Sequence, residues 1–129
     1  MPILTVKVSG EKSSHRTSEI ASFLMEITSG ILKKKAELTA IVIEHVEHDA
    51  WFVGGKRLSE SGLNSFSLDI KITDETNTKA EKADYIAAAF AGFERILGNL
   101  HEESYVYVQD VRATAYGYGG KTQEYRYHR

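Results

Sequence analysis

Two stretches of the chain close on one phrase, and that repetition constrains the fold more than any other feature. Ala50-Trp51-Phe52-Val53-Gly54-Gly55-Lys56 returns as Ala115-Tyr116-Gly117-Tyr118-Gly119-Gly120-Lys121. Upstream of each lies a run of strand formers, Thr39-Ala40-Ile41-Val42-Ile43 and Ser104-Tyr105-Val106-Tyr107-Val108. A shift of 65 lays Glu37 on Glu102, Thr39 on Ser104, Ile41 on Val106 and Val46 on Val111. Before these come two helical patterns. Ile20, Leu24, Ile27 and Ile31, with Phe23 beside them, share one face; Ile86, Phe90, Phe93 and Leu97 repeat the spacing at a shift of 66. Ser13 or Ser14 is the expected N-cap of the first helix. Thr78-Lys79-Ala80-Glu81 has the form of a capping box for the second, which should stop near Gly98-Asn99. Alternating strand patterns precede both helices, Leu4, Val6 and Val8 in one case and Phe66, Leu68, Ile70 and Ile72 in the other. One inserted or deleted residue reconciles the two shifts. Strand–helix–strand spacing alone would not repeat the aromatic-x-x-Gly-Gly-Lys ending, so the chain reads as an internal duplication, roughly 1–64 and 65–129.

Two tandem β-α-β units dictate an α/β architecture. A parallel strand pair needs a right-handed crossover, which puts each helix on the same face of its sheet. The expected fold is therefore a four-stranded sheet with two helices on one face and short hairpin strands after each unit. The other face stays uncovered, and the strand around Ile41 and Ile43 carries apolar residues on both faces. Such a sheet wants a partner, most simply another copy of itself. At 129 residues the whole is one domain with room for a real core. Sixteen basic against eighteen acidic side chains leave no basic field for nucleic acid or an anionic membrane. The absence of cysteine removes thiolate chemistry and cysteine-bound metals. No apolar run approaches the ~20 residues of a membrane helix, and Met1-Pro2-Ile3-Leu4 lacks a signal-peptide pattern. The expected setting is cytoplasmic, with no cofactor.

Pro2 has the most chemical potential. A small second residue permits removal of Met1, and the new terminus would be a secondary amine. A free α-amino group has a reference pKa of ~7.7–8.0, and an apolar pocket or nearby cations would lower it further. Such a nitrogen suits a general base near neutral pH. Two other patterns carry less. Gly119-Gly120-Lys121-Thr122 looks like the end of a phosphate loop, but Ala115 stands where the opening glycine belongs, and the short remainder leaves no helix to present its N-terminus. His45 and His48, beside Glu44, Glu47 and Asp49, would point to opposite faces of a strand, so no metal site is expected. The basic, aromatic tail Tyr125-Arg126-Tyr127-His128-Arg129 is expected to wrap a neighbouring subunit or fray.

Pro2 at the head of a strand, in a duplicated chain that closes each unit with a Gly-Gly hairpin, resembles the tautomerase superfamily around 4-oxalocrotonate tautomerase and macrophage migration inhibitory factor. The resemblance covers nearly the whole chain and is carried by Met1-Pro2-Ile3, Glu37-Leu38-Thr39-Ala40 and Trp51-Phe52-Val53-Gly54-Gly55-Lys56. It implies a homotrimer with active sites at subunit boundaries. It also implies keto–enol proton transfer by Pro2 on a small α-keto or dienol carboxylate. On the first family member, Lys12 takes the place of a carboxylate-binding arginine, Val42 that of a second arginine, and Trp51 that of the site aromatic. On the second, Lys34 matches the loop lysine, Tyr105 a tyrosine contributed by a neighbouring subunit, and Tyr107 an asparagine two residues on. The missing strand arginine leaves a non-catalytic binding trimer, or a water-adding variant, as the alternative readings.

Overall fold

A computed structural model describes residues 2–127; Met1, and His128 and Arg129 of the tail, lie outside the described residues. Four strands form the main sheet: β1 (Ile3–Ser9), β2 (Ala40–Val46), β5 (Phe66–Thr73) and β6 (Tyr105–Val111), in the order β2-β1-β5-β6. β1 runs parallel to β2 and β5 parallel to β6, and the units meet in an antiparallel seam where Leu4 faces Ile70 and Val6 faces Leu68. Helix α1 (Ser14–Gly30) makes the first crossover and α3 (Lys79–Leu97) the second, and they pack against each other on one face. Strand alternation sends Leu4, Val6, Val8, Phe66, Leu68, Ile70 and Ile72 under the helices, where all seven are fully buried.

The caps fall where the sequence places them. Ser13 Oγ accepts the Arg16 N–H at 3.2 Å. Thr78 and Glu81 exchange both bonds of a capping box, at 3.0 and 2.8 Å, and α3 stops at Gly98 with φ 71°.

The helix faces need a correction. α1 buries Ile20, Phe23, Leu24 and Ile27, as the periodicity predicts. α3 buries Phe93 and Leu97 as predicted and packs Phe90 against the core, but it also buries Tyr85, Ala89 and Gly92 and leaves Ile86 41% exposed. The two helices meet closely at Gly92, where a Cβ would lie 1.8 Å from Phe23 Cζ. Phe23 then meets Phe93 edge to face at 5.8 Å. The Tyr85 hydroxyl pairs with Thr28 Oγ1 at 2.9 Å, its pKa pushed up to about 12 by burial. Small residues, not the most apolar ones, define the contact face. The repeat offset is corrected with it. Both helices start 65 positions apart, as do β2 and β6. The first strands match at 64, Leu4 with Leu68, so the extra residue sits in the loop before α3.

Each unit ends in a two-stranded hairpin, β3 (Phe52–Val53) with β4 (Lys56–Arg57) and β7 (Gly117–Tyr118) with β8 (Lys121–Thr122). Gly54-Gly55 and Gly119-Gly120 all take positive φ, the requirement of the tightest hairpin turn. One-turn helices follow, α2 (Leu58–Ser61) and α4 (Gln123–Tyr127). A helix therefore does follow Thr122, contrary to expectation, and the tail through Tyr127 folds back on the hairpin through Arg126. β2 ends before His48, so the two histidines do not share a strand. His45 Nε2 bonds Thr17 Oγ1 and His48 Nε2 bonds Asn64 Oδ1, both at 2.7 Å. The second sheet face is bare: Ile3, Val42, Tyr105 and Tyr107 lie on it between 45% and 57% exposed. Among the described residues no helix is long and apolar enough to cross a membrane.

Replacing Gly92 with alanine should cost about 1–3 kcal/mol through overpacking against Phe23. Gly30→Ala, with open space around it, should be neutral or stabilising by up to ~1 kcal/mol. Denaturant midpoints of the two variants check the assignment of the contact face.

Candidate active site

Pro2 is buried, and its carbonyl accepts the Ala40 N–H at 3.1 Å, which ties the start of β1 to the start of β2. The seam decides what else comes near. Because β5 runs antiparallel to β1, Ile3 lies opposite Lys71 near the end of β5. β6 runs parallel to β5, so the chain leaving it turns back beside Pro2. The hairpin of the second unit therefore closes a cavity of about 410 Å³ over the proline of the first, walled by Leu38, Thr39, Tyr116 and Tyr118. Among the described residues, Glu37 is the one acid that lines it, and neither lysine nor arginine does.

The tyrosine wall is fixed from behind. The Tyr116 hydroxyl bonds Thr73 Oγ1, and burial raises its pKa, a shift that this bond partly offsets. Arg126 stacks on the Tyr118 ring at 3.8 Å and donates to the Tyr118 carbonyl at 2.9 Å. Lys34 reaches the same end of the sheet by another route. Its Nζ donates to Thr76 Oγ1 at 2.8 Å, and that hydroxyl donates to the Thr73 carbonyl at 2.6 Å. Two threonines thus join Lys34 to Tyr116. Half-buried, the Lys34 ammonium loses hydration, which lowers its pKa against the opposing pull of Glu81 and Asp110.

The other residues singled out from sequence lie elsewhere in the protomer. Lys12 lines a separate cavity with His45 and Glu47 at the far end of β1, about 20 Å of strand away from Pro2. Trp51 and Tyr105 share a third cavity, and Tyr107 stands on the bare sheet face with its ring 6.4 Å from that of Tyr105. Within one protomer only Pro2 occupies its cavity, with Lys34 linked to the wall. Sequence reading missed Tyr116, Tyr118 and Arg126. The signal was present: the repeat pairs Trp51 with Tyr116, and the seam exchanges the two hairpins between the units.

No protein-family model and no curated protein matches this sequence. Solved structures do match, over nearly the full length. A fused 4-OT described as an asymmetric trimer aligns with a TM-score of 0.78 at 22% identity, over 96% of this chain and 98% of that one. A protein solved after inactivation by 2-oxo-3-pentynoate aligns at 0.83 and 12% identity, over 96% and 98%. A macrophage migration inhibitory factor-like protein from Entamoeba histolytica aligns at 0.72 and 20% identity, over 94% and 97%. This chain therefore shares the fold of the fused 4-OT and macrophage migration inhibitory factor-like structures, with both β-α-β units on one chain.

Lys34 should lose its proton below the ordinary lysine value, as its ε-methylene NMR resonance would report. Between that pKa and the ordinary 10.5, the unfolded chain holds more protons than the folded one, so stability rises with pH there. Lys34→Met should remove that part of the slope from a pH series of unfolding curves.

Proposed function

We propose that this chain is a cofactor-independent tautomerase in which Pro2, once amino-terminal, moves a proton between carbons of a small α-keto or dienol carboxylate. The observation that carries the reading is the buried Pro2 in a largely apolar cavity, roofed by Tyr116 and Tyr118. In that setting the free secondary amine would hold its proton less tightly than an exposed prolyl terminus, because apolar walls disfavour its charged form. The neutral nitrogen takes a proton from the carbon next to the substrate carbonyl, leaving an enolate. The resulting ammonium returns the proton to the other carbon, so the reaction is a net isomerisation. A tyrosine hydroxyl would stabilise the enolate oxygen.

Assembly supplies what the protomer lacks. The bare face, with Ile3, Val42, Tyr105 and Tyr107, calls for cover, and fused 4-OT proteins of this fold are described as trimers. In a homotrimer Tyr105 and Tyr107 of one chain would approach Pro2 of its neighbour, and Trp51 would help exclude water. The carboxylate would be held by Lys34 through the Tyr116 wall, by Lys12 of a neighbour, or by Arg126 behind Tyr118. The neighbour inactivated by 2-oxo-3-pentynoate, itself an α-keto acid, supports that substrate class. Glu37 in the Pro2 cavity favours a second reading, in which the carboxylate activates water for addition to an unsaturated acid.

Pro2→Ala should lower enol–keto conversion of phenylpyruvate by about 10²–10⁴-fold, the range of general-base catalysis. Unchanged turnover would reduce the protein to a binding member of its fold. A hydroxylated product from an unsaturated acid in the same assay would favour the second reading.

A further inference from the structure

The protomer builds a second cavity by the same construction as the first. It holds about 510 Å³, and its walls are the first unit's hairpin, with Trp51 and Phe52, and the second unit's entry, with Ser67, His101, Glu103 and Tyr105. The repeat maps the two cavities onto each other. Trp51 corresponds to Tyr116, Ser67 to Ile3 and Phe66 to Pro2, while Glu103 and Tyr105 replace Leu38 and Ala40. Phe66 is fully buried and stacked on Phe93 at 4.0 Å. Its nitrogen is a mid-chain amide, so no amine chemistry is open to this cavity. Its shape persists without the base.

What replaces the base is an acid among aromatic rings. We propose that this second cavity binds a small organic cation, an ammonium group carried on an apolar or aromatic body. Among the described residues, Glu103 is the one acidic side chain lining it, and neither lysine nor arginine does. The carboxylate is held in place: Glu103 Oε2 accepts the Tyr105 hydroxyl at 2.8 Å. The Glu103 N–H donates to His101 Nδ1 at 3.0 Å, which steadies the backbone that carries the carboxylate. Trp51, Phe52 and Tyr105 add π faces, which attract a cation and give an anion nothing. Phe52 already holds one cation, the Arg57 guanidinium, 4.9 Å from its ring centroid. A metal ion is a poor fit, since among the described residues no three His, Cys, Asp or Glu side chains gather to hold one. The cavity is separate from Pro2 of its own protomer; in the proposed trimer its Trp51 and Tyr105 would border the neighbour's Pro2, but binding of a cation needs no amine base.

Trp51 is the only tryptophan in the chain, so intrinsic fluorescence reports on this cavity directly. The full-length protein is titrated with benzyltrimethylammonium chloride, with phenylacetate and benzyl alcohol as anionic and neutral counterparts. The proposal requires a saturable change for the cation, at least about tenfold tighter than for either counterpart, as expected for a charge-assisted contact. Glu103→Gln should weaken it about tenfold, and Glu103→Lys should shift the preference to phenylacetate. Phenylpyruvate turnover followed on Pro2→Ala tests the tautomerase reading, while cation titration of Glu103→Gln tests this one, so the failure of either is told apart from the other. An unsaturable response to the cation, equal binding of phenylacetate, or affinity indifferent to Glu103→Gln would each overturn the proposal.

Discussion

The antiparallel pairing of β1 with β5 is the constraint on which the rest of this structure depends. Each β-α-β unit alone would be a parallel pair with one helix, its apolar face half covered. The seam joins the buried rows Leu4-Val6-Val8 and Phe66-Leu68-Ile70 into one sheet and brings α1 and α3 together above it. Because the seam is antiparallel, the end of one unit lies at the beginning of the other. The hairpin after β6 therefore roofs Pro2, and the hairpin after β2 roofs Phe66. Two cavities arise from one topological fact, and only the first places a proline at its base.

The network behind Tyr116 follows from the same geometry. Thr73 ends β5 beside the chain that leaves β6, so its hydroxyl meets Tyr116 and its carbonyl meets Thr76. Lys34, arriving from the end of α1, completes the line. The cavity is thus apolar where a substrate would sit, with its cations one side chain removed. In the proposed tautomerase, such an arrangement would favour the neutral amine of Pro2 and leave positive charge close enough to attract a carboxylate.

Most of the fold was legible in the sequence because it was written twice. Period-two strands, capped helices and Gly-Gly hairpins each appear in both halves, and the caps at Ser13 and Thr78 fall where the residues indicate. The face of α3 was legible from hydropathy only in part: Phe93 and Leu97 are buried as their spacing indicates, but Ile86 is exposed and Gly92 is the residue that lets Phe23 approach. The site was legible in part. Pro2 stands out on its chemistry, whereas Trp51 and Tyr116 are interchangeable in the repeat. Which of them faces Pro2 depends on the direction of the seam, a property of three-dimensional pairing with no local signature.

Pro2 is also the only proline in the chain, so protein grown on ¹⁵N-proline carries a single label at the atom in question. If Pro2 is the base, this nitrogen is an amine whose resonance moves with pH around a midpoint below that of an exposed prolyl terminus. A pH-independent amide resonance, in protein purified with its native terminus, would contradict it.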